Sequence, residues 1–208
     1  IGFIILYFTF TTLAYYLFVI RKDWKQYQTK PYRPGQIKVE IRRSIVSIFT
    51  FGILALWTKW ALMNGVYKFN FSFNGWAFAS ELLGLFFWNE IYFYIVHRTF
   101  HWKPLYKYHV DHHFSHVPSP FSAYSFHWTE GILLGAVMQV AMLFHDFLFQ
   151  SIMLLPLMSI LMNVLGHSNV DFFPKYSINH ILSFSKRHSE HHRVPHTNFG
   201  FFLPFIDL

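Results

Sequence analysis

Residues 1–20 carry no charged side chain, and that run limits what this chain can become more than any other feature of it. About twenty apolar helical residues span the ~30 Å hydrocarbon core of a bilayer, and runs this clean are rare in soluble proteins. Ser44–Met63 is a second such segment, broken only by Lys59, which can snorkel from near its end. Trp76–Val96 is a third, and its Glu81 and Glu90 are costly at bilayer depth unless they face the protein interior. Residues 64–74 read as the turn joining the second and third segments. Residues 131–165 stay largely apolar, yet a single helix of that length would reach about 52 Å. The interruption at His145-Asp146 predicts a helical hairpin there, either two short crossings or a re-entrant pair. The expected fold is an all-α, integral-membrane helical bundle. Composition agrees: 53% of residues are hydrophobic and 13% are charged, against about 25% charged in soluble domains, and so large an apolar content excludes disorder. The chain opens on Ile1 and stops in mid-pattern at Leu208, so it is expected to be part of a longer protein, in which no targeting peptide can be judged.

Between the first two apolar segments, Arg21–Arg43 holds eight Lys/Arg residues against Asp23 and Glu40, which supplies six of the chain's seven net positive charges. A basic loop between membrane segments is the positive-inside signal and places this loop on the cytosolic face. Nucleic-acid binding is excluded as a needless second explanation of the same charge. Counting crossings from this loop brings His97, and then His167 and everything after it, back to the basic side.

That matters because the chain has 14 His and no Cys, so any metal must be held by nitrogen or oxygen. Three clusters stand out: His97 with His101, then His109, His112 and His113, then His188, His191 and His192. The second and third share the pattern H-x-x-H-H, whose members fall on one face of a helical turn. Eight convergent imidazoles exceed one tetrahedral metal and suit two. Without metal they would repel when protonated and lack partners when neutral. Asp111 and Glu190 should point away from that face or orient the imidazoles from behind. His116, His145 and His196 read as peripheral or structural.

Ligand type alone leaves zinc, iron, copper and nickel open. The H-E-x-x-H of zinc hydrolases is absent, and dense histidine runs past the span ends fit bis-histidine haem poorly. Two all-histidine metals beside a membrane suit attack on an unactivated C–H bond, which calls for a redox metal.

At these residues the chain resembles the membrane fatty acid hydroxylase / sterol desaturase superfamily. The resemblance runs through Glu90–His101, Leu105–His113, Pro120-Phe121, Phe126–Glu130, Gly166–Ser168, His188–His192, Asn198–Gly200 and Ile206-Asp207, closest in flavour to the sterol C4-methyl oxidase branch. It divides the chain into N-terminal membrane helices with their basic loop, residues 1–75, and a catalytic region, residues 76–208. It implies a di-iron centre on the cytosolic face of the endoplasmic reticulum, two iron ions with zinc as the alternative occupant, and electrons delivered through cytochrome b5 or its reductase. His127, His167 and His180 match further family histidines and join the ligand candidates. Glu90, Trp128 and Asn169 stand where family members commonly have Asp, Pro and Gly, which leaves the subfamily and turnover open.

The expected function is therefore oxidation of a lipid, sterol or fatty acyl chain, by hydroxylation or desaturation, with Phe86, Phe87, Trp88, Tyr92 and Phe93 as candidates to line the lipid's entry. The alternatives are a catalytically silent subunit of a larger membrane complex and a zinc-dependent membrane hydrolase. The mitochondrial inner membrane is the alternative location.

Overall fold

The computed structural model describes residues 2–207, and among them every regular element is helical. α1 (Gly2–Tyr15) runs into a π-helical turn, Tyr16–Ile20. α2 is Gln36–Met63, α3 is Gly75–Phe100, and the two legs of the hairpin are α4 (Trp128–Gly135) with α5 (Val137–Ala141), then α6 (Phe149–Gly166). α7 (Phe184–Arg193) carries the last histidine cluster. Three helical stretches, Gly2–Ile20, Gln36–Met63 and Phe149–Gly166, are long and apolar enough to cross a membrane. α3 has the length, about 39 Å, with Glu81, Asn89 and Glu90 diluting its apolar character.

Three boundaries differ from the apolar pattern. α2 begins eight residues before Ser44, because its basic first turns are good helix formers and bury a polar core: Glu40 accepts from Gln36 Nε2 and from the hydroxyls of Ser115 and Ser119. α3 starts at Gly75, where the Asn74 side chain caps the Ala77 amide. The hairpin's first leg breaks at Ala136 and spans about 21 Å in all, short of a full crossing. The turn does fall at His145, whose Nε2 lies 2.9 Å from Glu81 Oε1, and the same carboxylate accepts the Leu148 amide. Glu81 thus faces protein.

Close packing positions the site. A Cβ at Gly131 would lie 2.9 Å from Thr50 Oγ1, and one at Gly135 would lie 2.6 Å from the Phe51 ring, so α4 reaches α2 only because both residues are glycine. The buried turn Pro120–Tyr124 wedges between α1, α2 and α6, held through the Phe121 carbonyl by Tyr7 Oη at 3.0 Å and Ser44 Oγ at 3.1 Å. The basic loop is tied to the histidine segments: Tyr27 Oη donates to Glu190, Gln28 Nε2 donates to the carbonyls of His116 and Ser189, and Arg43 pairs with Asp111. Loop and histidines share one end of the bundle, as the crossing count requires.

Candidate metal centre

Each histidine arrives on a helical turn. α3 delivers His97 and His101 one turn apart at its C-terminal end. His109, His112 and His113 do not sit on an α-helix, as the spacing suggested. They follow the 3₁₀ turn Tyr106–Tyr108 on a single turn closed by the His112 and His113 amides donating to the His109 carbonyl. That one turn achieves the same i, i+3, i+4 convergence. α7 supplies His188, His191 and His192, and α6 ends at His167.

The nine rings form two groups, in each of which the ligand-capable atoms all lie within 4.8 Å of one another: His97, His101, His109, His113 and His191 in one, His112, His167, His188 and His192 in the other. Each H-x-x-H-H triplet is split between the groups. His127 and His180 join neither. Each accepts a backbone amide near the start of a helical turn, His127 from Thr129 and His180 from Leu182, and His180 stacks on Tyr176 at 3.9 Å. In each ring Nδ1 serves a local cap, and neither ring belongs to the two groups.

Whether these residues suit a metal is decided by their tautomers. His97 Nδ1 donates to the Phe199 carbonyl at 2.8 Å, His191 Nδ1 to the Thr197 carbonyl at 2.6 Å, and His167 Nδ1 to the Asn163 carbonyl at 2.8 Å. A carbonyl only accepts, so Nδ1 holds the proton and Nε2 is left as a bare lone pair. His109 Nδ1 meets Glu130 Oε1 at 2.7 Å in a fully buried pair, which fixes the orientation of the ring. Buried nitrogens without a hydrogen-bond partner include His109 Nε2, His191 Nε2 and Nδ1 of His112, His113, His188 and His192. Facing ring nitrogens approach to 2.9 Å between His188 and His167, and to 3.2 Å between His97 and His101. Four of the nine rings, His97, His109, His167 and His191, are thus oriented from behind, as the ligands of a nitrogen-bound metal commonly are, and the donor set fits one metal per group.

Burial, then the neighbouring imidazoles, hold His109, His112, His113, His188, His191 and His192 well below the ordinary histidine pKa. They are neutral at pH 7 and need shed no proton to bind a cation. In the metal-free protein the unfolded chain therefore binds more protons than the folded one below about pH 6.5, the ordinary histidine value. Stability from these groups is present above that pH and is lost as pH falls. The thermal midpoint of metal-free protein is expected to drop steeply between pH 7 and pH 5; a flat profile in that window would contradict the buried neutral rings.

The carboxylates within the two triplets take the first of the two expected roles, engaged away from the rings. Asp111 and Glu190 orient no imidazole: Asp111 pairs with Arg43, and Glu190 with Arg193 and Tyr27. Glu130, not singled out from the sequence as a site residue, does that work. The C-terminal segment is pinned over the rings by Glu90, which accepts the Phe202 and Leu203 amides, and by buried Arg187, which donates to the carbonyls of Ile178, His180, Phe201 and Phe202. Phe201 then packs on His188 at 4.5 Å. A Cβ at Gly166 would lie 2.1 Å from that phenyl ring. Gly166→Ala is accordingly expected to destabilise by about 1–3 kcal/mol, whereas Gly84→Ala, in open space, should not; thermal unfolding of the two variants makes the comparison. Asn169 holds φ +57°, which explains glycine as the commoner choice there. Asn tolerates this conformation, and here its side chain also bonds both backbone groups of Gln28.

A cavity of about 420 Å³ opens among α1–α6, and none of the described histidines lines it. Two of its wall residues touch them: Phe93 packs on His97 at 4.8 Å, and Phe126 on His112 at 5.0 Å. Of the aromatics singled out above, Tyr92 and Phe93 line this cavity, Trp88 lines a separate hollow beside Glu81, and Phe86 and Phe87 line neither.

A helical membrane protein with two buried histidine groups beside an apolar cavity is thus the class that the fold and site define. Residues 82–208 match the sequence model of the fatty acid hydroxylase family, and the chain belongs to that family. It is 24% identical to lathosterol oxidase of Homo sapiens over 217 aligned residues, covering 100% of this chain and 70% of that protein. It is 34% identical to a Delta(7)-sterol 5(6)-desaturase of Aspergillus fumigatus (61% of this chain, 40% of that protein) and 31% identical to a very-long-chain aldehyde decarbonylase of Oryza sativa subsp. indica (57% and 21%). No solved structure matches significantly. Family and relatives together indicate an oxidoreductase that acts on lipids.

Proposed function

We propose that the chain is a non-haem di-iron oxygenase that hydroxylates or desaturates an unactivated C–H bond of a membrane lipid. The observation that carries this reading is the pair of all-histidine groups lying one side-chain layer behind the Phe93 and Phe126 wall of an apolar cavity. Two iron ions, one per group, would supply the oxygen activation and one-electron chemistry that no side chain provides. The protein's own part is positional. The carbonyls of Phe199, Thr197 and Asn163 and the carboxylate of Glu130 fix the ring orientations. Phe93 and Phe126 keep water from the histidines and leave an aliphatic chain as the fitting neighbour. The cavity walls align that chain with the site. Names among the relatives favour a sterol or long-chain aliphatic substrate. The basic loop beside the histidine segments suits an acidic electron carrier such as cytochrome b5, and the positive-inside reading favours the cytosolic face of the endoplasmic reticulum.

Lipid mass spectrometry of cells with and without the protein is expected to show a hydroxylated or desaturated lipid only in its presence. Purified protein with bound zinc and no oxygen uptake on any lipid would reject the proposal.

A further inference from the structure

The histidine groups are walled by aromatic rings that resist oxidation, with one exception. Among the described residues, Phe93, Phe100, Phe126, Phe199 and Phe201 supply every aromatic contact made to the nine imidazoles from outside the groups, apart from those of Tyr106. Tyr106 lies against three rings of the five-ring group, at 5.6 Å from His101, 6.2 Å from His113 and 6.3 Å from His109 between centroids.

Its place is on the solvent side. His101 is the one ring of the nine that is not buried. Tyr106 is itself half-buried, and the turn that carries it exposes Trp102, Lys103 and Lys107. Phe93 and Phe126, by contrast, form the wall toward the apolar cavity. The two kinds of ring differ in chemistry as well as in place. A phenol gives up one electron together with its hydroxyl proton and becomes a neutral radical. A phenyl ring has no such proton and yields an electron far less readily.

We infer that Tyr106 is a one-electron relay that drains oxidising equivalents from the five-ring group when no lipid fills the cavity. The inference rests on the redox metal of the function proposed above. In the step, the metal centre gains one electron, Tyr106 loses it, and the hydroxyl proton passes to water. A water-soluble reductant such as ascorbate then returns an electron and a proton and restores the phenol. The phenylalanine wall offers no such exit on the cavity side, which reserves the oxidant for a bound aliphatic chain. Without the relay, an unused oxidant is confined beside its own imidazole ligands.

Electron paramagnetic resonance tests this on the full chain, loaded with iron in detergent without lipid and mixed with hydrogen peroxide, whose reduction to water oxidises the metals. The native protein is expected to give a tyrosyl radical signal that narrows when the protein is made with ring-deuterated tyrosine. Tyr106→Phe keeps the ring packing and the backbone turn that closes on the residue-106 carbonyl. It is expected to lose the signal with iron content unchanged, and to gain oxygenated His101 or His113 in peptide mass spectra. Tyr94→Phe removes a phenol on α3 that packs under Arg98 and should leave the signal intact. Iron-loaded native protein without a tyrosyl signal, or a signal undiminished in Tyr106→Phe, overturns the inference and leaves the proposed function standing. A radical at Tyr106 in a protein that oxidises no lipid would instead sink the proposed function and leave the relay.

Discussion

His191→Ala and His112→Ala are each expected to abolish lipid oxidation and to remove the metal of one group only. His191 belongs to the five-ring group and His112 to the four-ring group. Both rings are fully or almost fully buried, and His191 is oriented from behind by the Thr197 carbonyl. Losing even an orienting partner typically costs 10–100-fold in metal affinity or activity, so losing a ligand should exceed that. A variant that merely loosened the fold would shed both metals together. His145→Ala is the contrast. It removes an imidazole of the same size from the turn beside Glu81, far along the chain from both groups, and should leave metal content and product unchanged. Metal analysis and lipid mass spectrometry on the three variants read the result directly.

The second large effect is expected at Glu130. Its carboxyl group is buried 2.7 Å from His109 Nδ1, which turns the unpartnered Nε2 toward the other four rings. Glu130→Leu removes the acceptor, frees the ring to turn, and strands a buried N–H. A loss of about 10–100-fold in metal affinity is expected, with activity falling in parallel. Glu130→Gln keeps an acceptor of the same shape and should fall between the two. Competitive metal titration measures the order; equal affinity in native protein and the leucine variant would contradict an orienting role.

How much of this could be read beforehand depends on where the information lies. The bundle was legible because charge-free runs have few alternatives, and the turn at His145 because polar residues interrupt such a run. The start of α2 was hidden, since hydropathy sees only the Lys and Arg there and not the buried network around Glu40. The clustered histidines were legible from spacing alone, although spacing could not show that each H-x-x-H-H divides between two groups. His127 and His180 follow no such pattern, and their nitrogens serve helix starts. The acceptors on Phe199, Thr197 and Asn163 are backbone atoms, which leave no mark in a sequence. Glu130 did leave one: a carboxylate at the head of a long apolar run needs a buried partner.

The central claim is that distant segments cage two metals in separate all-histidine groups. The most direct test is metal content together with X-ray absorption at the metal edge on purified, iron-loaded protein. The expected result is about two irons per chain, one for each group, with nitrogen-dominated coordination that drops to about one iron in His191→Ala. Loading that stops at a single metal in the native protein, or iron retained in full by that variant, would contradict it.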